Sequence, residues 1–172
     1  MKIVFTGPES SGKTTLAEAV CRKHPFTLVR EFSREYLALS GTDYTRQDVR
    51  EMGLLQLWEE KFIAGTGGHI CCDTDLQNIL VWHQIKYGEF DSDLLRLWLE
   101  NRGNHYFVCK PDIPWEYDPL RENPHNRDKL FNVHVTFLQN FEVPYDIVEG
   151  PLDSRLMYLE KHPVVLSLPS TT

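Results

Sequence analysis

The sequence predicts one α/β domain spanning residues 1–172: a parallel five-stranded sheet with helices on both faces. Three observations predict it. Five short apolar, β-branched runs alternate with segments of helical period. A glycine-containing loop joins the first run to the first helical segment, and no repeat, low-complexity tract or interdomain linker interrupts the 172 residues.

The first run, Lys2-Ile3-Val4-Phe5-Thr6, has the composition of a strand buried on both sides in a parallel sheet. Gly7-Pro8-Glu9-Ser10-Ser11-Gly12-Lys13-Thr14 follows it and fits G-x-x-x-x-G-K-[ST] at every fixed position. Such a loop turns backbone N–H groups inward around phosphate oxygens, and the helix it opens adds partial positive charge. Gly7 and Gly12 permit the turn. Lys13 is placed to reach the β- and γ-phosphates of a nucleoside triphosphate, and Thr14 to ligate Mg²⁺. Glu9, Ser10, Ser11 and Thr15 complete the expected cradle. Residues 15–23 then carry Leu16, Ala17 and Val20 on one helical face.

A second strand over residues 26–29 runs into Arg30-Glu31-Phe32-Ser33-Arg34-Glu35-Tyr36. Ligands of open α/β sheets bind outside the carboxyl ends of strands, so Glu31, Arg34 and Tyr36 are candidate acceptor residues; the alternative is a solvated first helical turn. Thr45 is an expected N-cap, and the helix it opens extends to about Phe62 with a core-facing stripe. The run over residues 69–73 ends in Asp73, the form of a strand whose carboxylate sits beside the phosphate loop and holds Mg²⁺. Asp75 either shares a strand face with Asp73 or caps the helix over residues 76–87. In that helix Trp82 reads as core or pocket wall.

Asp91 or Ser92 caps a helix over residues 93–101, and residues 106–109 form a fourth strand. Residues 114–127 are too polar and proline-rich for core. Their arginines, Arg121 and Arg127, are either ordinary surface charges or the cations of a lid. A helix over about residues 126–141, a fifth strand over residues 145–148 and a final helix striped by Leu152, Leu156 and Leu159 complete the chain.

A formal net charge of −7 and a pI near 5.5 exclude a broad basic face for nucleic acid. They leave room for a small anionic ligand in a locally positive pocket. No apolar run approaches the roughly 18 residues of a membrane span, and the start does not read as a signal peptide; the cytoplasm is the expected location. Cys21, Cys71, Cys72 and Cys109 lack C-x-x-C spacing and read as reduced thiols, with Cys71 and Cys72 on opposite strand faces.

Three stretches together, residues 7–14, Glu31-Phe32-Ser33-Arg34-Glu35-Tyr36 and Cys72-Asp73-Thr74-Asp75, resemble the ribosylnicotinamide kinase domain of the NadR-like family of P-loop kinases. Trp115-Glu116-Tyr117-Asp118-Pro119-Leu120-Arg121 and Val143-Pro144-Tyr145 are similar to that family too. The resemblance implies the sheet order 2-3-1-4-5 and ATP-dependent phosphorylation of the 5′-hydroxyl of nicotinamide riboside, giving the mononucleotide in NAD salvage. Lys13 and the loop would hold ATP, Thr14 and Asp73 would hold Mg²⁺, and Arg121 and Arg127 would close from the lid. Glu31 is the expected proton acceptor, with Asp73 its rival. Asp75 is the expected ribose ligand, and Tyr36 or Trp115 would lie over the cationic ring.

Family members often carry an adenylyltransferase or DNA-binding domain before the kinase; with the first strand starting at residue 2, neither is expected here. Leu76-Gln77-Asn78 also departs from the family's threonine-rich continuation. Two other readings stand beside this one: a kinase of another nucleoside or of a nucleoside monophosphate, with Arg30 or Arg34 serving the acceptor phosphate, and an ATP-binding regulatory module that hydrolyses slowly.

Overall fold

Side chains alternate across a strand, so Ile3 and Phe5 enter one core and Val4 the other. All three are fully buried, each contributing about 1.5–3 kcal/mol of transfer free energy. Their strand, β1 (Lys2–Thr6), is the centre of a parallel sheet with β2 (Phe26–Val29), β3 (His69–Asp73), β4 (His105–Cys109) and β5 (Tyr145–Val148). The computed structural model of the chain describes residues 1–121 and 125–167, and its sheet has the order β2-β3-β1-β4-β5, as the resemblance implies.

Helices cover both faces. α1 (Lys13–Lys23), α7 (Leu152–Glu160) and the short α8 (Pro163–Leu166) pack on the Ile3 and Phe5 side. α2 (Phe32–Ser40), α3 (Arg46–Gly65), α4 (Leu76–Tyr87), α5 (Ser92–Asn101) and α6 (Arg127–Asn140) pack on the Val4 side. Cys71 and Cys72 divide between the two cores, and neither is in a disulfide.

The helix signals act as their chemistry requires. The Thr45 hydroxyl accepts from the Asp48 backbone N–H while the Asp48 carboxylate accepts from the Thr45 N–H at 2.7 Å, a reciprocal cap on α3. That helix runs three residues past Phe62, because Ile63 still packs against the core and the first breaker beyond Phe62 is Gly65, its last residue. Asp91 caps α5 through the N–H groups of Asp93 and Leu94, and Gly88 ends α4 in the left-handed conformation.

Register positions the chemistry. Phe5 pairs with Asp73 on one side of β1 and with Phe107 on the other. The loop leaving β1 therefore emerges between the carboxyl ends of β3 and β4.

Candidate active site

The phosphate loop is held in shape by close approach and by cations behind it. Gly7 has φ +129°, and a Cβ there would lie 2.7 Å from the Cys109 carbonyl oxygen. Gly12, at φ +81°, is the N-cap of α1. Arg127 Nη1 donates to the Ser10 carbonyl at 3.1 Å, and Arg155 Nη1 to the Ser11 carbonyl at 2.6 Å. A planar trans peptide puts N–H opposite C=O, so cations drawing these carbonyls to the back aim the N–H groups of Ser11 and Gly12 the other way. Lys13 Nζ lies over the loop, donating to the carbonyls of Gly7 at 3.0 Å and Pro8 at 2.8 Å. Replacing Gly7 with alanine combines left-handed strain with a backbone clash and is expected to cost about 1–3 kcal/mol, read as a lowered urea midpoint with unchanged m-value.

Asp73 ends β3 and is buried. The next residue, Thr74, takes φ +67° and donates its N–H to the Phe5 carbonyl at 2.9 Å, which turns the chain sharply beside the loop. The Thr14 hydroxyl hydrogen-bonds the Asp73 carboxylate, whose Oδ1 has no partner among the described residues. Burial, then the charge of Glu31, pushes the Asp73 carboxyl up to about 6 against the pull of Lys13 and Arg34. An orphaned buried carboxylate oxygen beside a threonine hydroxyl is a hard-oxygen donor set, and it fits Mg²⁺.

Across from Asp73, Glu31 is the N-cap of α2 and accepts from Ser33 Oγ at 2.9 Å. Arg34 is ion-paired with Asp118 of the segment after β4, whose carboxyl is held low by that guanidinium. Arg121 Nη1 donates to the Glu116 carbonyl at 2.5 Å, and Glu116 N–H donates to Ser10 Oγ at 3.0 Å. The segment after β4 is thereby tied to the loop. Trp115 lies against Arg121 and Arg127, 5.8 and 5.7 Å from ring centroid to guanidinium. Glu122, Asn123 and Pro124, within the predicted lid, are outside the described residues.

Several of these groups line one cavity of about 390 Å³, whereas Asp73, Trp115, Asp118 and Arg127 are not among its lining residues. The whole loop from Gly7 to Thr15 lines it, together with Glu31, Arg34 and Arg121. Three predicted acceptor ligands do not line it: Trp115 packs against Arg121 and Arg127, and Asp75 and Tyr36 are held elsewhere. Asp75 is fully buried: it accepts from Gln77 N–H at 3.0 Å as the cap of α4, accepts from the Tyr106 hydroxyl at 2.7 Å, and lies 3.0 Å from Lys2 Nζ. Tyr36 donates its hydroxyl to Asp48 at 2.6 Å. On α2 the cavity face is Ser33, Arg34 and Leu37, and Tyr36, two residues from Arg34, is about 200° around the helix.

Sequence reasoning missed other groups. His134 of α6 lines the cavity with Nδ1 3.2 Å from the Thr6 hydroxyl; burial, then the charge of Lys13, pushes its imidazole down to about 3, so it is neutral. Arg155 is 2% exposed and pairs with Asp112 at 2.6 Å. Asn78, Val81 and Ile85 line the cavity from α4 beside Trp82, which the sequence left open between core and pocket wall, and the i, i+3, i+4, i+7 spacing of the four was the available signal. Lys86 stands beside them with Nζ 3.5 Å over the Tyr44 ring.

A phosphate loop wrapped into a helix, an acid-ended neighbouring strand and a sheet of order 2-3-1-4-5 define a P-loop nucleotide-binding domain with the architecture of a small kinase. Matching the AAA domain family over residues 2–155, the chain belongs to it. NadR in complex with NR has the same fold: TM-score 0.78 at 18% identity, over 99% of this chain and 52% of that one. NadR in complex with NAD and AMP-PNP gives 0.70 at 19%, over 91% and 49%. The chain thus spans about half the length of those NadR chains. Deoxyadenosine kinase from M. mycoides, with products dCMP and dCDP bound, gives 0.60 at 14%, over 93% and 97%. Comparison with curated sequences finds no match. Among the described residues no helix is long and apolar enough to cross a membrane.

Proposed function

We propose that the chain is an ATP-dependent phosphotransferase that acts on the 5′-hydroxyl of a nucleoside, with nicotinamide riboside the preferred acceptor and the mononucleotide the product. The observation that carries this reading is the single cavity that joins the phosphate loop to an acceptor-side carboxylate, Glu31, and to the lid arginine Arg121. NadR, whose fold this chain shares, binds NR.

Phosphoryl transfer needs positioning and charge neutralisation more than covalent chemistry. Lys13 and the loop N–H groups hold the triphosphate. Thr14 and Asp73 would hold Mg²⁺, which when bound neutralises phosphate oxygens. Glu31 orients the acceptor hydroxyl and takes its proton as the new O–P bond forms and the bond from the γ-phosphorus to the bridging oxygen breaks, ADP leaving with that electron pair. Arg121 stabilises the charge that spreads over the transferred group, and Arg127 acts by holding the loop at Ser10.

A neutral nucleoside is the second reading, favoured by Lys86, a cation at the cavity wall that repels a cationic ring. The M. mycoides deoxyadenosine kinase, which shares the fold, is consistent with it. ADP release with Mg·ATP, measured with and without nicotinamide riboside and with a panel of neutral nucleosides, separates the two. Stimulation by the riboside, with a product heavier by one phosphate, supports the first. Stimulation by neutral nucleosides alone keeps the mechanism and discards the NAD role, and no stimulation by any acceptor defeats both.

A further inference from the structure

Far from the cavity, at the amino-terminal end of the sheet, three ligating side chains converge. His105 opens β4, Asp146 lies in β5, and His162 precedes α8. Their ligand atoms lie within 4.8 Å of one another. Both imidazoles aim Nε2 at the same carboxylate oxygen, Asp146 Oδ2, at 2.8 Å for His105 and 3.0 Å for His162. We propose that His105, Asp146 and His162 form a transition-metal site suited to Zn²⁺, with solvent as the fourth ligand.

The donor chemistry selects the metal. Two imidazole nitrogens and one carboxylate suit Zn²⁺ or Co²⁺ and do not suit Mg²⁺ or Ca²⁺, which take oxygen. Tetrahedral zinc with bonds of about 2.0–2.2 Å holds its ligand atoms about 3.3–3.5 Å apart, so the hydrogen-bonded pairs need to open by roughly half an ångström and the two imidazole nitrogens, within 4.8 Å of each other, need to close. The ring of Phe107 floors the group, its centroid 4.8 Å from that of His105 and 5.1 Å from that of His162. An apolar floor on one side and the 36% exposed side chain of Asp146 on the other give a site with an entry path.

Coordination replaces the two hydrogen bonds between the imidazoles and Asp146 Oδ2 and breaks a third. Val164 N–H donates to His162 Nδ1 at 3.3 Å, and a metal on Nε2 moves the ring proton to Nδ1, so that bond opens. It is a long bond at the start of a four-residue helix, and its loss is small against a metal–imidazole bond. The site ties β4 and β5 to the segment between α7 and α8. Its metal binds the folded chain and not the dispersed ligands of the unfolded one, so it stabilises by mass action.

The test uses untagged full-length protein freed of metal with chelator. Titration with Co²⁺ is expected to give one equivalent with the visible bands of a four-coordinate nitrogen and oxygen site, displaced by Zn²⁺. Zinc at about 100 times its Kd is expected to raise Tm by about 5–10 °C. Asp146→Asn preserves the shape and acceptor of the cluster while removing its charged ligand, and His162→Gln removes one imidazole. Each is expected to weaken zinc at least about tenfold and to abolish the cobalt bands. No binding by the wild-type chain overturns the proposal, as does equal affinity in both variants. Thiolate charge-transfer bands retained in Asp146→Asn place the metal on cysteine and overturn it too.

Discussion

Lys13→Ala is expected to lower acceptor-stimulated ADP release by at least about 10²-fold while the protein melts within a few degrees of wild type. A loss of 10²-fold is about 2.7 kcal/mol of transition-state stabilisation, in the range for removing one preorganised donor from a site that excludes water. Lys13 Nζ is the cation that lies over the loop, and its contacts there are two hydrogen bonds to the carbonyls of Gly7 and Pro8. The fold does not lean on them. Arg127 and Arg155 grip the loop from behind, and the Gly7 turn is set by its approach to Cys109. Steady-state turnover and a thermal melt on the same sample separate the two effects. Turnover within threefold of wild type removes the phosphate-loop assignment, and a collapsed melt shows the lysine to be structural.

What the sequence disclosed was local, and what it hid was long-range. The loop, the strand ending in Asp73, the Thr45 cap and the Gly88 stop are each written in contiguous residues, and their physics acts over a turn or less. Asp75 was open between a capping role and a ligand role because both depend on the same two residues of chain. The choice is made by Tyr106 and Lys2, which come from distant strands to bond its carboxylate. His134 and Arg155 carry no motif at all. They are a lone histidine and a lone arginine on amphipathic helices, and only the packing of α6 and α7 against the sheet brings them to Thr6 and Ser11. Trp82 shows the intermediate case. Its helix is apolar on two faces, one turned to the core and one to the cavity, and periodicity finds both faces without telling which is which.

Asp73→Asn is expected to separate activity from stability in opposite directions. The Asp73 carboxyl sits at about 6 in the folded chain, against an ordinary value of 3.8, because burial and the neighbouring Glu31 disfavour its charge. Between those two pH values the folded state holds the proton and the unfolded state does not. Stability contributed by this group therefore falls as pH rises from about 4 to about 6, and above that the ionised carboxylate is a constant cost of about 1–3 kcal/mol. Asparagine removes the charge and keeps the shape. Melted in chelator, the variant is expected to have the higher Tm at pH 8, with the difference shrinking toward pH 4. Activity follows the reverse course. The wild-type kcat/KM is expected to fall with an acid limb near pH 6, as protonation takes a ligand from Mg²⁺, whereas Asp73→Asn is lower by about 10²-fold or more and lacks that limb. A lower Tm for the variant at pH 8 defeats the electrostatic reading of this buried carboxylate. Persistence of the acid limb assigns the limb to another group and removes Asp73 from the metal site.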